Sequence, residues 1–156
     1  MLQAADPAPD FQLPLLTGGL WKLSEELRQG PVLLAFFKIS CPACQLTFPY
    51  LQRLADSRHR GAPRVIAISQ DNADDTTDFQ RRFGVSMPTL IENSRTWTTS
   101  NAYGIASVPS LFLIGEGGVI SRSSEGFHRA ELEKLAELFA VPIFGPEDRV
   151  PAMKPG

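Results

Sequence analysis

The sequence predicts an α/β domain with a mixed β-sheet, and three patterns indicate it. The apolar run Val32–Phe37 reads as a strand and is followed by a helical pattern. A second apolar run, residues 65–69, is again followed by helical spacing. A hairpin pattern and a last helix complete the chain, and strands that alternate with helices are typical of a sheet flanked by helices. At 156 residues, a single domain with its own core is expected.

The strands are predicted from turn residues and apolar runs. Gly18-Gly19 lies inside the loosely alternating residues 13–23, which predicts a hairpin. Gly30-Pro31 breaks the chain before Val32–Phe37, and the unbroken apolar character of that run favours a central strand covered on both faces. Residues 65–69 predict a second central strand.

The helices are predicted from the spacing of apolar side chains and from capping residues. The first covers about residues 41–58, with Pro49 expected to kink it. In the second, Asp74 or Asp75 is expected to cap the start and Gly84 to end the helix. The remaining predicted elements are a short strand at 87–91, a short helix at 97–103, a hairpin of strands 111–114 and 119–122, a helix at 129–140 and an extended Pro-rich tail at 142–156.

Composition and charge exclude several classes of function. The net charge of −2 gives no electrostatic basis for binding nucleic acid or an anionic membrane. No apolar run approaches the roughly 20 residues that a transmembrane helix needs. No signal peptide is visible at the start of the chain. A cytoplasmic location is expected for the chain as written, and an extracytoplasmic one if a signal or anchor has been removed.

The two cysteines form a Cys-Pro-Ala-Cys motif between the first central strand and the first helix. With Cys41 at the helix N-cap, Pro42 falls at the first helical position, where its missing N–H costs nothing. Free backbone N–H groups and the helix dipole then favour the Cys41 thiolate and lower its pKa. Cys44 lies three residues further along the same helix face, close enough to form a disulfide with Cys41. The motif therefore predicts that Cys41 attacks a partner's disulfide and that Cys44 resolves the mixed disulfide.

A zinc site and an inert core pair are the alternatives to redox chemistry for the two cysteines. Half of a zinc site would need further ligands, such as His59 or His128, from a distant segment or a second chain. An inert pair is also conceivable, since free cysteine is often buried. The Pro-Ala spacer and the position at a helix start favour redox chemistry over both, so we expect neither a metal nor a cofactor.

A proline at the start of an apolar strand is the second notable feature. Proline cannot donate to a strand ladder, so Pro109 belongs at the first residue of the strand or at an edge. A Val108-Pro109 bond there is a good site for a cis peptide, which would expose the Val108 backbone to an incoming chain. The trans isomer is the commoner one, so we expect the cis bond only because the cysteine motif is also present in the chain.

These motifs together resemble the thioredoxin superfamily. The likeness lies in Cys-Pro-Ala-Cys after Val32–Phe37, Pro49 in the next helix, and Val108-Pro109 before an apolar strand. Residues 8–14 (Ala-Pro-Asp-Phe-Gln-Leu-Pro) and 103–110 (Tyr-Gly-Ile-Ala-Ser-Val-Pro-Ser) are similar to its redoxin branch, which includes cytochrome-maturation reductases and the AhpC/TSA peroxiredoxins.

The resemblance covers about residues 5–140 and implies a thioredoxin-like fold, a central mixed sheet flanked by helices. It also implies an N-terminal hairpin extension and a helix–strand insertion at about residues 71–95. We therefore expect a redoxin domain at residues 1–141 and a tail at 142–156. By position, the resemblance implies that Cys41 is the nucleophile and Cys44 the resolving thiol of a redox-active disulfide, and that Val108, Pro109, Pro42 and Gly126 contact substrate.

The chain departs from these families at the position of the usual proton acceptor. Thioredoxin has a buried aspartate six residues before its first cysteine, where this chain has Ala35. The cytochrome-maturation reductases have a glutamate three residues after the second cysteine, where this chain has Thr47. The acceptor of the Cys44 proton is therefore open, with Lys38, Glu92 or water as candidates.

The leading hypothesis is a thiol–disulfide oxidoreductase that reduces or exchanges disulfides in partner proteins through a mixed disulfide. Its partners would be protein thiols or disulfides and an unidentified electron donor, and a monomer is expected. The alternative is a thiol peroxidase that reduces hydroperoxides through a Cys41 sulfenic acid. The peroxiredoxin pattern Pro-x-x-x-Thr/Ser-x-x-Cys has Leu34 and Lys38 at its first two defined positions here, which argues against it. A binding module without turnover is the third hypothesis, and the intact cysteine pair argues against it.

Overall fold

The computed structural model describes residues 1–57 and 59–156, and strands alternate with helices in the central part of the chain. The strands are β1 (Gln12–Pro14), β2 (Leu20–Lys22), β3 (Val32–Phe37), β4 (Arg64–Ser69), β5 (Thr89–Ile91), β6 (Ser110–Ile114), β7 (Ile120–Glu125), β8 (Phe127–His128) and β9 (Met153–Lys154). The helices are α1 (Leu23–Glu26), α2 (Pro42–Ala55), α3 (Ala73–Phe83), α4 (Thr98–Ala102) and α5 (Arg129–Glu137).

The central sheet is mixed, with the strand order β5-β4-β3-β6-β7. β3 pairs in parallel with β4 and antiparallel with β6, and β7 continues the antiparallel side. Every residue of β3 is buried, as expected for a strand that is apolar on both faces and covered on both. The predicted fold class, a mixed sheet flanked by helices, is therefore confirmed, and β1 and β2 form the predicted N-terminal hairpin.

Aromatic side chains on the two faces of β3 hold the helices and the hairpin in place. The Phe37 ring centroid lies 4.3 Å from that of Phe48 on α2, and 4.9 Å from that of Phe79 on α3. On the other face, the Tyr103 ring lies 5.6 Å from that of Phe36 and 5.9 Å from that of Phe11. Since α2 begins just after the carboxyl end of β3, this packing fixes the position of the helix start relative to the sheet.

Several predicted helix boundaries are wrong. Asn72 caps α3, because its backbone is extended and its side chain accepts the amide of Asp75 at 2.8 Å. Asp74 and Asp75 instead lie in the first turn, where their charges complement the helix dipole. The final helix ends at Glu137 rather than at residue 140. The last described helical residue of α2 is Ala55, and the predicted end at Arg58 lies outside the described residues. Gly84 ends α3 in a left-handed conformation, as predicted.

The predicted tail, residues 142–156, packs on the domain. Ile143 is buried at 2 % exposure, and the Phe144 ring centroid lies 4.8 Å from that of Tyr50 on α2. Further along, β9 pairs antiparallel with β8, a strand pair that the sequence did not indicate. Within the described residues, no helix is long and apolar enough to cross a membrane.

Candidate functional site

The two cysteines lie where the central strand gives way to α2. Cys41 is the N-cap of the helix: its backbone is extended, and its sulfur accepts the amide of Cys44 at 3.1 Å. Pro42 occupies the first turn, where a missing N–H leaves no partner unsatisfied. This is the local arrangement that the sequence predicted. Cys41 is half-buried and Cys44 fully buried, so only the first sulfur is accessible to a partner.

The surroundings of Cys41 favour its thiolate and lower its pKa from 9.0 to about 6. The largest cause is a hydrogen bond from the Cys44 thiol. Partial burial opposes the shift, and the amides of Cys44 and Ala43 support it, as does the positive charge of Lys154. A sulfur with this pKa is largely ionised at neutral pH, and the thiolate is the nucleophilic form of cysteine.

The surroundings of Cys44 have the opposite effect. Burial raises the pKa of the Cys44 thiol far above its ordinary value, and its hydrogen bond to Cys41 raises it further. The charge on Cys41 and the carboxylate of Asp71 add smaller contributions in the same direction. Cys44 therefore keeps its proton while Cys41 loses one, so the two thiols are chemically distinct before any partner arrives.

The candidate acceptors of the Cys44 proton can now be compared. Ala35 carries no ionisable group, and the Thr47 hydroxyl is committed to the Ala43 carbonyl at 2.7 Å. Glu92 is buried, and its two carboxylate oxygens accept the amide and the hydroxyl of Ser100 at 2.7 and 2.5 Å. Asp71, which sequence reasoning missed, accepts the Ile39 amide at 2.8 Å, and its charge acts on Cys44.

Lys38 is engaged elsewhere. Its ammonium nitrogen lies 4.5 Å from the centroid of the Trp97 ring, the geometry of a cation–π contact. That contact holds the charge beside an aromatic face near the end of β3. Lys38 occupies the position at which the peroxiredoxin pattern has Thr or Ser.

The loop before β6 lies against the cysteines. The Val108–Pro109 peptide bond is cis, as the sequence analysis expected. The Val108 carbonyl oxygen lies 3.2 Å from the Cys41 sulfur, and a protonated Cys41 thiol donates to it. The Gly126 amide donates to the Pro109 carbonyl at 2.8 Å, and Gly126 has a positive φ of 75°.

The structure therefore brings the predicted site residues to one face. They are Cys41, Pro42, Cys44, Val108, Pro109 and Gly126. Lys154 also acts on this face through its charge, and no local pattern in the sequence pointed to it. Among the described residues, no group of three or more His, Cys, Asp and Glu side chains is arranged to hold a metal ion, and His59 is exposed.

Comparison with known proteins agrees with this fold and site. The chain is 29% identical over 120 residues to the thiol-disulfide oxidoreductase ResA of Geobacillus thermodenitrificans, covering 76% of this chain and 67% of that protein. It is 28% identical over 140 residues to ResA of Halalkalibacterium halodurans, covering 88% and 78% of the two chains. A crystal structure from Chlorobium tepidum, provisionally assigned as the thiol:disulfide interchange protein DsbE, superposes with a TM-score of 0.76 at 29% identity, covering 90% and 97%.

The fold and the comparisons define a thioredoxin-like disulfide oxidoreductase of the redoxin branch of the thioredoxin superfamily. Within that branch, the chain belongs to the AhpC/TSA family, whose family model matches residues 4–123. The matched region runs from before β1 into β7 and includes both cysteines and the Val108–Pro109 bond.

Proposed function

We propose that the protein exchanges disulfides with partner proteins through a mixed disulfide on Cys41, which Cys44 then resolves. One observation carries the proposal: two hydrogen-bonded thiols at a helix start have pKa values shifted in opposite directions, that of Cys41 to about 6 and that of Cys44 upward. This difference supports distinct roles for the two sulfurs, since an attacking thiol must be ionised and accessible.

The chemistry proceeds in two substitutions at sulfur. The Cys41 thiolate attacks one sulfur of a partner's disulfide; a bond forms between Cys41 and that sulfur, the partner's S–S bond breaks, and the second partner sulfur leaves as a thiolate that takes a proton. Cys44 then loses its proton and attacks the Cys41 sulfur. The Cys41–Cys44 disulfide forms, the partner's first sulfur is released as a thiol, and two electrons have passed to the partner.

The pKa of Cys44 changes in the course of this sequence. Burial is the largest cause that holds the proton on Cys44, and while Cys41 is a thiolate, the hydrogen bond between the sulfurs and the negative charge of Cys41 add to it. Once Cys41 is joined to a partner, these two contributions are gone, so the pKa of Cys44 falls. Return to the dithiol form needs a reduced dithiol or thiol donor, which is the second partner in our proposal.

The Val108 backbone is proposed to receive the partner. Its carbonyl oxygen lies 3.2 Å from the Cys41 sulfur, so a polypeptide segment hydrogen-bonded to Val108 would carry its own sulfur next to Cys41. Pro42 follows Cys41 at the helix start, and the Gly126 amide is bonded to the Pro109 carbonyl, so both residues border the same face. We therefore propose partner thiols and disulfides held in extended segments of protein.

The experiment that tests this function is capture of a mixed disulfide. In a Cys44→Ser variant the resolving step is absent, so a covalent adduct with insulin or another disulfide protein should accumulate and disappear on adding dithiothreitol. Cys41→Ser is the matched control and should capture nothing. If Cys44→Ser captures no more than Cys41→Ser, disulfide exchange through Cys41 is wrong.

Peroxide reduction is the competing function, and the same variants separate the two. The peroxiredoxin pattern has a Thr or Ser hydroxyl at the position of Lys38, and the Lys38 ammonium is engaged with the Trp97 ring. This argues against peroxide binding at Cys41. With an artificial thiol reductant, we expect hydrogen peroxide consumption no faster than that of the Cys41→Ser variant. Consumption that depends on Cys41 and exceeds the rate of insulin reduction would favour the peroxidase instead.

A further inference from the structure

Residues 151–156, here called the strap, run across the face that carries Cys41. Within the strap, β9 pairs antiparallel with β8, with Lys154 opposite Phe127 and Met153 opposite His128. The Arg129 amide also donates to the Ala152 carbonyl at 3.0 Å. These are main-chain contacts, which is how an extended peptide adds to the edge of a domain.

The end of the strap lies against the proposed partner-binding surface. A Cβ placed on Gly126 would lie 2.9 Å from the Lys154 carbonyl oxygen and 3.4 Å from Pro155, so the strap crosses directly over this glycine. A Cβ placed on Gly156 would overlap the Val108 carbonyl oxygen and lie 2.7 Å from the carbonyl carbon. The strap therefore reaches the carbonyl group that also lies beside the Cys41 sulfur.

The chain just before the strap is fixed to α2, the helix that begins at Cys41. The Asp148 carboxylate accepts a hydrogen bond from the Arg53 guanidinium at 2.6 Å and from the Gly145 amide at 2.6 Å. The same guanidinium donates to the Ile143 carbonyl at 3.0 Å. This attachment keeps the strap near the site, and a short tether gives a segment a high effective concentration at its own binding surface.

The strap itself is held weakly. Its side chains are mostly exposed, with Met153 at 54 % exposure, so little apolar surface is buried. A ladder of two residues on each strand is only marginally stable in water. The strap can therefore open while its attachment through Asp148 stays in place.

We propose that the strap is an internal competitor for the partner-binding surface, so that a partner protein reaches Val108 and Cys41 only after the strap has moved away. This inference rests on the proposed function, because it concerns access to the same thiol. It also has a consequence for selectivity. A small disulfide needs only the Cys41 sulfur, whereas an extended polypeptide needs the main-chain positions that the strap covers.

Hydrogen exchange on the Cys44→Ser variant of the 156-residue chain tests the displacement of the strap directly. A short cysteine peptide activated as its pyridyl disulfide is attached to Cys41, and a cysteamine adduct at the same sulfur is the control. If the strap is closed about nine-tenths of the time in the control, its opening in the peptide adduct speeds exchange of the Arg129 amide, which donates to the Ala152 carbonyl of the closed strap, about tenfold. Equal exchange of the Arg129 amide in the two adducts would overturn the proposal.

A pair of point variants tests the consequence for activity. In Gly156→Val, the new side chain clashes with the Val108 carbonyl, so the end of the strap cannot bind there. Ala152→Ser changes an exposed side chain of the same strap and leaves that contact intact. We expect Gly156→Val to raise kcat/KM for insulin up to about tenfold, with Ala152→Ser unchanged, and neither to alter the rate with a small aromatic disulfide. An unchanged or lower kcat/KM for insulin in Gly156→Val would contradict the proposal that the strap competes with the partner protein.

The two tests also separate this proposal from the proposed function. If the parent chain reduces neither insulin nor the small disulfide, the proposed function has failed. The peptide adduct is made chemically, so its hydrogen exchange still reports whether a peptide on Cys41 displaces the strap.

Discussion

The backbone amide nitrogen of Cys44 lies 3.1 Å from the sulfur of Cys41, so the first turn of α2 solvates that sulfur from within the chain. The contact exists because Cys41 is the N-cap residue, and the N-cap side chain is the one that accepts a free amide at a helix start. The Cys44 thiol adds the largest single contribution to lowering the pKa of Cys41. One residue thus supplies both a backbone and a side-chain donor to the nucleophile.

Replacing Cys44 with Ala should raise the pKa of Cys41 from about 6 towards its ordinary value, because the strongest hydrogen bond to the thiolate is lost. Replacement with Ser should raise it less, since a hydroxyl still donates. Ultraviolet absorbance of the thiolate against pH measures both. A Cys41 pKa that stays at about 6 in the Ala variant would show that the Cys44 side chain does not stabilise the thiolate.

The stability of the reduced protein should depend on pH through the same thiol. The unfolded chain keeps the Cys41 proton up to the ordinary pKa of 9.0, while the folded chain loses it near 6. Between these values the unfolded state binds more protons, so the free energy of unfolding rises with pH. Below the folded pKa this contribution is lost. Above the ordinary pKa the raised pKa of Cys44 acts in the opposite direction.

Urea unfolding of the reduced chain at about pH 5.5 and about pH 8.5 measures this dependence. The Cys41→Ser variant is the control for all other titrating groups. We expect the parent chain to gain more stability than Cys41→Ser over this interval. A parallel change in the two proteins would mean that the pKa of Cys41 is not lowered by folding.

Tyr103 should connect the N-terminal segment to the core through its hydroxyl. The ring is fully buried between Phe36 and Phe11, and the hydroxyl donates to the Pro9 carbonyl at 2.8 Å. Tyr103→Phe keeps the ring but leaves that carbonyl without its donor, which should cost about 1–2 kcal/mol in the free energy of unfolding.

Tyr50→Phe is the control for this substitution. The Tyr50 hydroxyl lies 3.4 Å from an Asp148 oxygen, a longer contact in a more exposed place, so its loss should cost less. Chemical denaturation of both variants gives the comparison. A larger loss for Tyr50→Phe than for Tyr103→Phe would contradict this role of the Tyr103 hydroxyl.

Glu92 should act as a structural carboxylate whose partner is Ser100. The Ser100 hydroxyl donates to Glu92 and accepts from the Gln70 amide at 2.7 Å. Ser100→Ala leaves both buried partners incomplete and should cost about 1–3 kcal/mol in stability. Thr77→Ala, which removes an exposed hydroxyl from α3, should cost far less. If Ser100→Ala instead leaves stability unchanged and slows disulfide exchange, Glu92 is a proton acceptor after all.

The central sheet and the cysteine site could be predicted because their signals are local. Val32–Phe37 is apolar at every position, and the bounds of β3 match that run. Proline directly after Cys41 marks a helix start, and Gly84 marks a helix end. In each case the residues that determine the structure are adjacent in the chain.

The strap and the cap of α3 could not be predicted, for two physical reasons. β8 and β9 are two residues each and pair across a long separation, so neither has a periodicity of its own. At α3, Asn72, Asp74 and Asp75 are all good N-caps, and only the backbone conformation decides among them. Lys154 lies near Cys41 because it belongs to the strap, so its effect on Cys41 could not be predicted either.

Equilibration of the Cys41–Cys44 pair with glutathione buffers tests the central claim most directly. A pair of thiols that act together should show one two-electron transition. Its potential should lie between about −270 and −120 mV, the range of dithiol proteins of this fold, because a Cys41 pKa of about 6 lies between those of their reducing and oxidising members. Two independent one-thiol reactions with glutathione, without a Cys41–Cys44 disulfide, would contradict the account.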